Sequence, residues 1–370
     1  MTENCNLRCV YCTYGNMYGR GETRTGRNID VDFVKDFLLF LITNIWNASN
    51  KATKRKIRID YYGGEPLIKY KSIVEITEFL KNHATEQLEF NFSLTTNATL
   101  LTEQMLNYFA ENRFILTISI DGNYRNNSYR VFATGDESFD ILKKNIDFIK
   151  DNFPNYFNDY VYFTSVLHDR NSIEEIHEFL NKNYNKSAVV GNLNPNDLKK
   201  ESISQYNKMA NQSFNKGNDK KAIKNLIEYY TPYIFQTIHE LMIDRLIKKR
   251  YPSGTCMPLQ KKIFITTNRY LLPCEKIDFN YYYIQLKTPF QKDKIFKKVA
   301  LNHSQKLKQI RQQCGMCYYN WICDKCLFNN NNLKKCVFFM TEKKFRDYLC
   351  NAISLLEENP QIYYQHIKSL

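Results

Sequence analysis

Apolar and polar positions along the first half of the chain follow two alternating periods. Segments with an apolar residue at every third or fourth position predict helices, and the short β-branched and aromatic segments between them predict strands. The predicted helices are 31–47, 72–83, 102–111, 138–151 and 173–183. The predicted strands are 56–62, 88–95, 114–120, 160–167 and 188–193. This alternation indicates an α/β fold in which βα units form a parallel sheet.

Polar turns follow three of the predicted strands. They occupy residues 63–66, 96–99 and 119–122. Because the carboxyl ends of parallel strands meet at one edge of a sheet, we expect these turns to share the edge at which ligands bind in α/β folds.

The second half of the chain has a different pattern. Residues 194–250 are rich in Asn, Lys, Ser and Gln, with helical apolar spacing over 223–247, and we interpret them as a helical insertion or linker. Residues 251–350 contain most of the cysteines, and 351–370 predict a C-terminal helical tail. At 370 residues the chain is long enough for one large domain, over 1–193, and a smaller one.

Hydropathy and charge limit where the protein is expected to be and which partners it is expected to bind. No apolar run is long enough to span a bilayer, so we expect a soluble, cytoplasmic protein with no membrane partner. The formal net charge is +14, but the lysines are spread along the chain. We therefore interpret the charge as a solvated surface and do not expect a nucleic-acid partner.

The placement of the cysteines indicates metal centres. Of the 11 cysteines, three have CxxxCxxC spacing at Cys5, Cys9 and Cys12, and eight lie between Cys256 and Cys350. In a chain of this length without a signal peptide, metal thiolates are a better interpretation than disulfides. The first spacing lets one short loop place three thiolates on one iron–sulfur cluster and leave one iron open.

This loop resembles that of the radical S-adenosylmethionine (SAM) superfamily, which has the same spacing and an aromatic residue, here Tyr11, before the third cysteine. The resemblance implies a [4Fe-4S] cluster on Cys5, Cys9 and Cys12 that binds SAM and donates one electron to it, giving a 5′-deoxyadenosyl radical that abstracts hydrogen from a substrate. It also implies a partial (β/α)6 TIM-like barrel. Such a barrel needs a strand before the loop, yet only four residues precede Cys5. Three explanations stay open: a misassigned start, a fragment, or a missing first strand.

Three turns resemble SAM-binding motifs of the superfamily. The Gly-Gly-Glu-Pro turn at 63–66 would let the backbone approach the SAM amino group. A second turn resembles Thr-Asn-Gly, with Ala98 in place of the glycine, and a third resembles Ser-Ile-Asp-Gly with a downstream arginine that would pair with the SAM carboxylate. An ordinary turn is the alternative interpretation of Asp121. The SAM-binding residues implied in this way are Tyr11, Gly63, Gly64, Glu65, Pro66, Asn97, Ser119, Asp121 and Arg130.

The C-terminal cysteines resemble the SPASM domain of radical SAM enzymes that modify peptides and proteins, including anaerobic sulfatase maturases. The resemblance implies two auxiliary [4Fe-4S] clusters in a cysteine-rich iron–sulfur domain. The implied ligands of the first are Cys256, Cys274 and Cys326, and those of the second are Cys314, Cys317, Cys323 and Cys336. The first cluster is one ligand short, so it has either an open iron or a further ligand. Structural zinc is the alternative for the CxxC pairs.

Three further positions bear on this interpretation. Arg269 replaces the glycine that usually precedes the Pro-Cys pair, which puts the turn geometry there in question. Glu275 matches the position at which sulfatase maturases carry a substrate-deprotonating aspartate, so it is the candidate catalytic base, with an exposed surface glutamate as the alternative. Cys350 lies in a helix-like run over 343–356, where a small buried apolar residue fits.

The sequence therefore predicts a radical SAM enzyme that acts on a ribosomally made precursor peptide and installs a thioether or carbon–carbon cross-link. One alternative is a sulfatase maturase that forms formylglycine. Another is a non-catalytic iron–sulfur or zinc protein derived from the same superfamily. The expected partners are the precursor peptide and an electron donor such as flavodoxin or ferredoxin.

Overall fold

A computed structural model describes most of the chain. The described residues are 1–19, 25–46, 54–195, 197–211, 259, 262–275, 277, 282–323, 327, 336, 339–358, 360–361 and 364. The predicted helix over 223–247 and the predicted ligands Cys256 and Cys326 lie outside these residues.

The chain divides into two compact units. The first comprises Met1–Phe214, Ile265–Tyr270 and Gln285–Lys292. The second comprises Asn215–Phe264, Leu271–Ile284 and Asp293–Leu370.

A five-stranded parallel sheet forms the centre of the first unit. Its strands, which pair in chain order, are β1 (Arg55–Tyr61), β2 (Leu88–Thr96), β3 (Ile115–Ser119), β4 (Val161–Leu167) and β5 (Ala188–Asn192). The α/β prediction is thus confirmed, and each predicted strand lies within a residue or two of the observed one. The described sheet is a half barrel of five strands, where a (β/α)6 barrel has six.

The residues before Cys5 run beside the end of β1 without forming a strand of this sheet. Gly64 N donates to Thr2 O at 2.7 Å, and Glu65 N donates to Asn4 O at 2.8 Å. On its other side, Thr2 forms an antiparallel bridge with Asn28. These bonds fix the N-terminal segment against the turn that follows β1.

Seven helices accompany the sheet in the described part of the first unit. They are α1 (Val31–Leu41, continued by a π-helical turn Ile42–Trp46), α2 (Tyr70–Asn82), α3 (Glu103–Glu111), α4 (Phe139–Asn152), α5 (Pro154–Tyr160), α6 (Ile173–Tyr184) and α7 (Ile203–Asn211). Side chains cap three of their N-termini, since Asp30, Thr102 and Ser172 each accept a hydrogen bond from a backbone N–H of the first turn. All five predicted helices are present, and α5 and α7 are additional.

The two faces of the half barrel differ in polarity. One is apolar and buried, as at Leu94, Leu116 and Phe163. The register places hydroxyl residues beside each other on the opposite face, where Thr95 pairs with Thr117 and Ser119 pairs with Thr164. The helices therefore cover an apolar face, and a polar face is left for ligands.

After α7, the described elements are a small sheet, two helices and a short 3₁₀ segment. They are β6 (Phe264–Ile265), β7 (Tyr270–Leu272), β8 (Ile284–Gln285), α8 (Lys292–Gly315), the 3₁₀ segment Tyr318–Ile322 and α9 (Glu342–Glu358). The prediction that Cys350 is buried is wrong, because α9 turns this position toward solvent. Within the described residues, no helix is both long and apolar enough to cross a membrane.

Candidate active site

The loop 5–12, which carries the first three cysteines, is held through its backbone. Arg8 N donates to Val131 O at 2.7 Å, and Val10 N donates to Tyr129 O at 3.0 Å. The two acceptors lie on either side of Arg130, the downstream arginine of the third predicted motif. The cysteine loop is therefore fixed to the same chain segment that carries the arginine of that motif.

The three thiols of the loop are close neighbours. Burial raises the pKa of Cys9 to about 12, while the nearby Arg130 guanidinium lowers it and the thiols of Cys12 and Cys5 raise it. None of the three is in a disulfide. A backbone N–H, that of Leu7, donates to Cys5 Sγ at 3.4 Å.

These residues fit an iron–sulfur cubane better than a single metal ion. In the described part of the chain, no three Cys, His, Asp or Glu side chains are arranged to hold one ion. A cubane is larger than a single ion and takes one thiolate per iron. N–H donors to the ligand sulfurs adjust its reduction potential. Three neighbouring thiols, one of them already accepting an N–H bond, are the donor set that such a cluster with one open iron requires.

Gly63 lets the N-terminal segment pass close to the turn after β1. A Cβ at this position would lie 2.5 Å from Thr2 O and 3.0 Å from Thr2 N, so no other residue fits. We expected the glycines to permit an approach by SAM. At Gly63, the group that approaches is the protein's own backbone. Pro66, also predicted to bind SAM, is buried at the start of the 3₁₀ segment Pro66–Lys69.

Glu65 connects the turns after β1 and β2. Its Oε1 accepts from Thr96 Oγ1 at 2.7 Å and from Leu67 N at 3.1 Å, and its Oε2 accepts from Asn97 N at 2.8 Å. Burial raises the pKa of Glu65 to about 7, although these three bonds favour the charged form. The carboxylate thus faces protein donors, and its role in the structure is to hold the turns after β1 and β2 together.

Asn97 carries this connection on to the cysteine loop. Its Oδ1 accepts from Thr99, while its Nδ2 donates to Asn6 Oδ1 at 2.9 Å and lies 3.9 Å from Cys5 Sγ. The next residue, Ala98, has a φ of 58°, which L-residues other than asparagine and aspartate rarely adopt. The turn therefore keeps the glycine-like backbone of the motif although the glycine is absent.

Asp121 and Arg130 form a buried ion pair. Arg130 Nε donates to Asp121 Oδ2 at 2.9 Å, and Nη2 donates to Oδ1 at 3.0 Å. The Tyr11 phenol also donates to Oδ2, and Val166 N donates to Oδ1 at 2.9 Å. Although burial opposes it, the charge of Arg130 and the bonds from His168 and Arg130 hold the pKa of Asp121 well below its usual range.

This geometry assigns different tasks to the two partners. Asp121 is fully buried, and its oxygens are used within the protein. Arg130 uses only one edge of its guanidinium, and no described residue accepts a hydrogen bond from its Nη1. Asp121 therefore positions the arginine, whose remaining edge suits a carboxylate. Ser119, the other predicted residue of this motif, is half-buried at the end of β3.

His168 belongs to none of the sequence motifs. It is fully buried directly after β4, stacks on Tyr11 with ring centroids 5.6 Å apart, and has Nε2 3.6 Å from Asp121 Oδ2. Arg170 N donates to its Nδ1 at 3.1 Å, which favours the tautomer with hydrogen on Nε2. Its position could have indicated a role, because it is a polar residue directly after a predicted strand, like the three polar turns described above.

Four of the C-terminal cysteines lie near one another in the second unit. Burial, and after it the nearby thiols of Cys323, Cys336 and Cys317, raise the pKa of Cys314 to about 12. Met340 N donates to Cys317 Sγ at 3.4 Å. The structure thus brings together the four residues predicted to hold the second auxiliary cluster.

The predicted catalytic base lies beside a lysine. Glu275 Oε2 is 2.6 Å from Lys262 Nζ, and the glutamate side chain is 18% exposed. Cys274, which precedes it, follows β7 and is half-buried. Glu275 is therefore a largely buried carboxylate with a cationic partner.

Arg269 keeps a glycine-like backbone, with a φ of 63°. Its Nη2 donates to Asp30 Oδ2 at 2.7 Å, and its guanidinium lies 4.4 Å from the centroid of the Phe33 ring. The departure from glycine leaves the turn conformation unchanged and adds a side chain that anchors the turn to the start of α1.

A parallel half barrel with a three-thiol loop beside its strand-end turns is the arrangement that the resemblance to radical SAM proteins predicts. Residues 1–182 match the Radical SAM superfamily, and this part of the chain belongs to that superfamily.

Two relatives cover parts of the chain. Radical SAM cyclopropyl synthase TigE of Paramaledivibacter caminithermalis is 26% identical over 207 residues, which cover 54% of this chain and 42% of that protein. A cysteine-type anaerobic sulfatase-maturating enzyme of Clostridium novyi is 31% identical over 147 residues, covering 39% of this chain and 37% of that enzyme. The chain thus matches less than half the length of either relative.

Solved structures share the fold over nearly the whole length. The structure of anSMEcpe with bound AdoMet has a TM-score of 0.64 and 15% sequence identity, and the alignment covers 98% of this chain and 96% of that one. This likeness extends the shared architecture beyond the superfamily match, into the cysteine-rich C-terminal region.

Proposed function

We propose that this protein is a peptide maturase that uses SAM to oxidise a ribosomally made precursor peptide and installs a thioether or carbon–carbon cross-link. The observation that carries the proposal is the three-thiol loop, which is bonded to the turns after β2 and β3, while Thr2 and Asn4 just before it bond the turn after β1. The similarity of the chain to TigE and to a sulfatase-maturating enzyme supports a peptide or protein substrate.

Cys5, Cys9 and Cys12 would hold the SAM-binding [4Fe-4S] cluster. When bound there, the cluster would supply the electron that cleaves SAM, and the cleaved SAM would remove a hydrogen atom from the substrate. The protein's own part is positioning: Glu65 and Asn97 hold two turns beside Cys5, and Asp121 orients Arg130, whose open edge would bind the SAM carboxylate.

Two auxiliary clusters complete the proposal. The second would be held by Cys314, Cys317, Cys323 and Cys336, which lie together in the structure. Cys274 would serve the first, with Cys256 and Cys326, both outside the described residues. We propose Glu275 as the base that takes a proton from the substrate, with Lys262 holding its carboxylate in place.

Formylglycine formation on a sulfatase is the second candidate, favoured by the 31% identity to a sulfatase-maturating enzyme. The two candidates differ in substrate and product. A cross-link removes two hydrogen atoms from one peptide and leaves no aldehyde, whereas formylglycine is an aldehyde that a hydrazide reagent captures.

The test is anaerobic reconstitution with iron and sulfide, followed by incubation with SAM, dithionite and either the precursor peptide encoded beside the gene or a cysteine-type sulfatase peptide. Mass spectrometry then identifies the product. The proposal predicts a cross-linked precursor peptide. If the precursor peptide is deuterium-labelled, the label should appear in 5′-deoxyadenosine. An aldehyde on the sulfatase peptide, with an unmodified precursor, would establish the second candidate instead.

A further inference from the structure

Helix α8 has an unusual distribution of charge. It carries lysines or arginine at 292, 294, 297, 298, 306, 308 and 311, and Asp293 is its one acidic residue. Its buried side is formed by Ile295, Val299, Ile310 and Cys314. The helix is thus amphipathic, with an inward apolar stripe and a strongly basic remainder.

Four of these lysines lie on the outward side. Lys294, Lys297 and Lys308 are spaced by three and eleven residues and so lie on the face opposite Ile295 and Val299, with Lys298 at the edge of that face. All four are exposed, and none has an ion-pair partner among the described residues. We call Lys294, Lys297, Lys298 and Lys308 the basic ridge.

An apolar side chain lies inside the ridge. Leu301 is 48% exposed and falls between Lys297 and Lys308 on the same face. A large apolar side chain ringed by charges is an arrangement found in protein interfaces, where an apolar centre is surrounded by a polar rim.

Stability of the helix does not explain the ridge. Like charges three or four residues apart destabilise a helix, as with Lys294 and Lys297 or Lys298, and cations near its N-terminus oppose the helix dipole. An acidic residue at Lys294 alone would be favourable on both counts, since it would pair with the lysines one turn on and face the N-terminal end of the helix dipole. The lysines therefore fit a role in binding better than a role in folding.

The C-terminal end of the same helix leads to a redox-type site. Cys314 lies in its last turn, with the thiols of Cys317, Cys323 and Cys336 near it. A partner held along the ridge is thus held on the helix that carries one of the proposed cluster ligands.

We propose that the basic ridge docks an acidic, low-potential electron-carrier protein of the flavin or iron–sulfur class. The inference rests on the proposed function, because each SAM cleaved requires one electron, which leaves the reduced carrier and enters this protein while the carrier is oxidised by one electron. Charge complementarity selects the partner: an acidic carrier surface opposite four lysines accelerates encounter and fixes orientation. An acidic peptide or a nucleic acid would satisfy the charge but would supply no electron to a cluster held by the cysteines of this helix end.

The experiment compares two triple variants of the reconstituted full-length protein. One reverses the ridge with Lys294→Glu, Lys297→Glu and Lys308→Glu. The control reverses exposed lysines elsewhere, with Lys144→Glu, Lys182→Glu and Lys344→Glu, so that both lower the formal net charge from +14 to +8. Binding of purified flavodoxin is titrated at low and high salt, and electron transfer from its hydroquinone form is followed by stopped flow.

The ridge variant is expected to bind flavodoxin about tenfold or more weakly and to be reduced correspondingly slowly, with the difference shrinking at high salt. The control variant is expected to change less than about twofold. Deoxyadenosine formation with dithionite is expected to be equal in all three proteins. The neutral set Lys294→Gln, Lys297→Gln and Lys308→Gln repeats the test if the reversed ridge fails to fold.

Equal loss in the ridge and control variants would overturn the proposal, since net charge alone would then attract the carrier. Loss of peptide or nucleic-acid binding with unchanged flavodoxin binding would also overturn it and assign the ridge to that ligand. Absence of deoxyadenosine with dithionite in the unaltered protein would instead refute the proposed function, and flavodoxin binding would still report on the ridge.

Discussion

Arg130 bonds both carboxylate oxygens of Asp121, through Nε at 2.9 Å and Nη2 at 3.0 Å. The pair is buried beside the cysteine loop, with the Tyr11 phenol as a third member. It fixes one edge of the arginine, and no described residue accepts a hydrogen bond from Nη1 on the other.

Removing Asp121 is expected to leave a buried cation without its partner. Asp121→Ala should therefore lower the free energy of unfolding by about 3–5 kcal/mol, measured by urea titration of the cluster-free protein with circular dichroism. The control is Glu89→Ala, which breaks the exposed pair with Lys54 and should change stability little. Equal effects of the two substitutions would show that the buried pair has no special role.

Ala98 is expected to tolerate glycine better than an ordinary alanine does. At a φ of 58° the left-handed strain is relieved by glycine, so Ala98→Gly should leave the free energy of unfolding unchanged or raise it by up to about 1 kcal/mol. Ala110→Gly, within α3, should lower it by about 1 kcal/mol. A loss at Ala98 as large as that at Ala110 would contradict the assigned turn conformation.

Glu65 is expected to make stability depend on pH. Because its pKa is about 7 in the folded protein and 4.5 ordinarily, the folded state holds this proton more tightly than the unfolded chain. The resulting stabilisation is complete below about pH 4.5 and is lost as the pH rises through about 7, on the order of 3 kcal/mol in all. Urea titrations at several pH values in this range give the free energy of unfolding at each pH. This free energy should change less with pH in Glu65→Gln than in the unaltered protein. Identical changes in the two proteins would mean that Glu65 titrates normally.

Loss of one thiol from the loop is expected to abolish SAM cleavage. Cys9→Ala leaves two loop thiolates, too few to hold the cluster in the proposed way, so 5′-deoxyadenosine should fall to background in dithionite assays. Cys350→Ala, at an exposed position on α9, is the matched control and should retain full product formation. Undiminished product from Cys9→Ala would rule out this loop as the reactive centre.

The fold was predictable where the chain repeats βα units with strong periodicity. Each strand from β1 to β5 follows from a short β-branched segment, and helices such as α2 and α6 from regular apolar spacing. Helix α8 escaped prediction because its apolar positions, Ile295, Val299 and Ile310, are sparse among lysines and glutamines. Cys350 was misplaced for the opposite reason: its neighbours have helical spacing, but spacing alone does not show which face is covered.

The site was predictable as a set of motifs but not as a set of roles. The sequence identified Gly63, Glu65 and Asp121 as SAM-binding residues. In the structure, Gly63 admits the backbone of Thr2, Glu65 joins two turns, and Asp121 orients Arg130. The first two roles depend on contacts between residues far apart in the chain, which no local pattern encodes.

The proposed function depends on an N-terminal cluster that has one iron open to SAM. The most direct measurement is the electron paramagnetic resonance spectrum of the anaerobically reconstituted, reduced protein, recorded with and without SAM. Our account predicts that SAM changes the signal in the unaltered protein and that this SAM-dependent change disappears in Cys9→Ala. A reduced-cluster spectrum that is the same with and without SAM would contradict it.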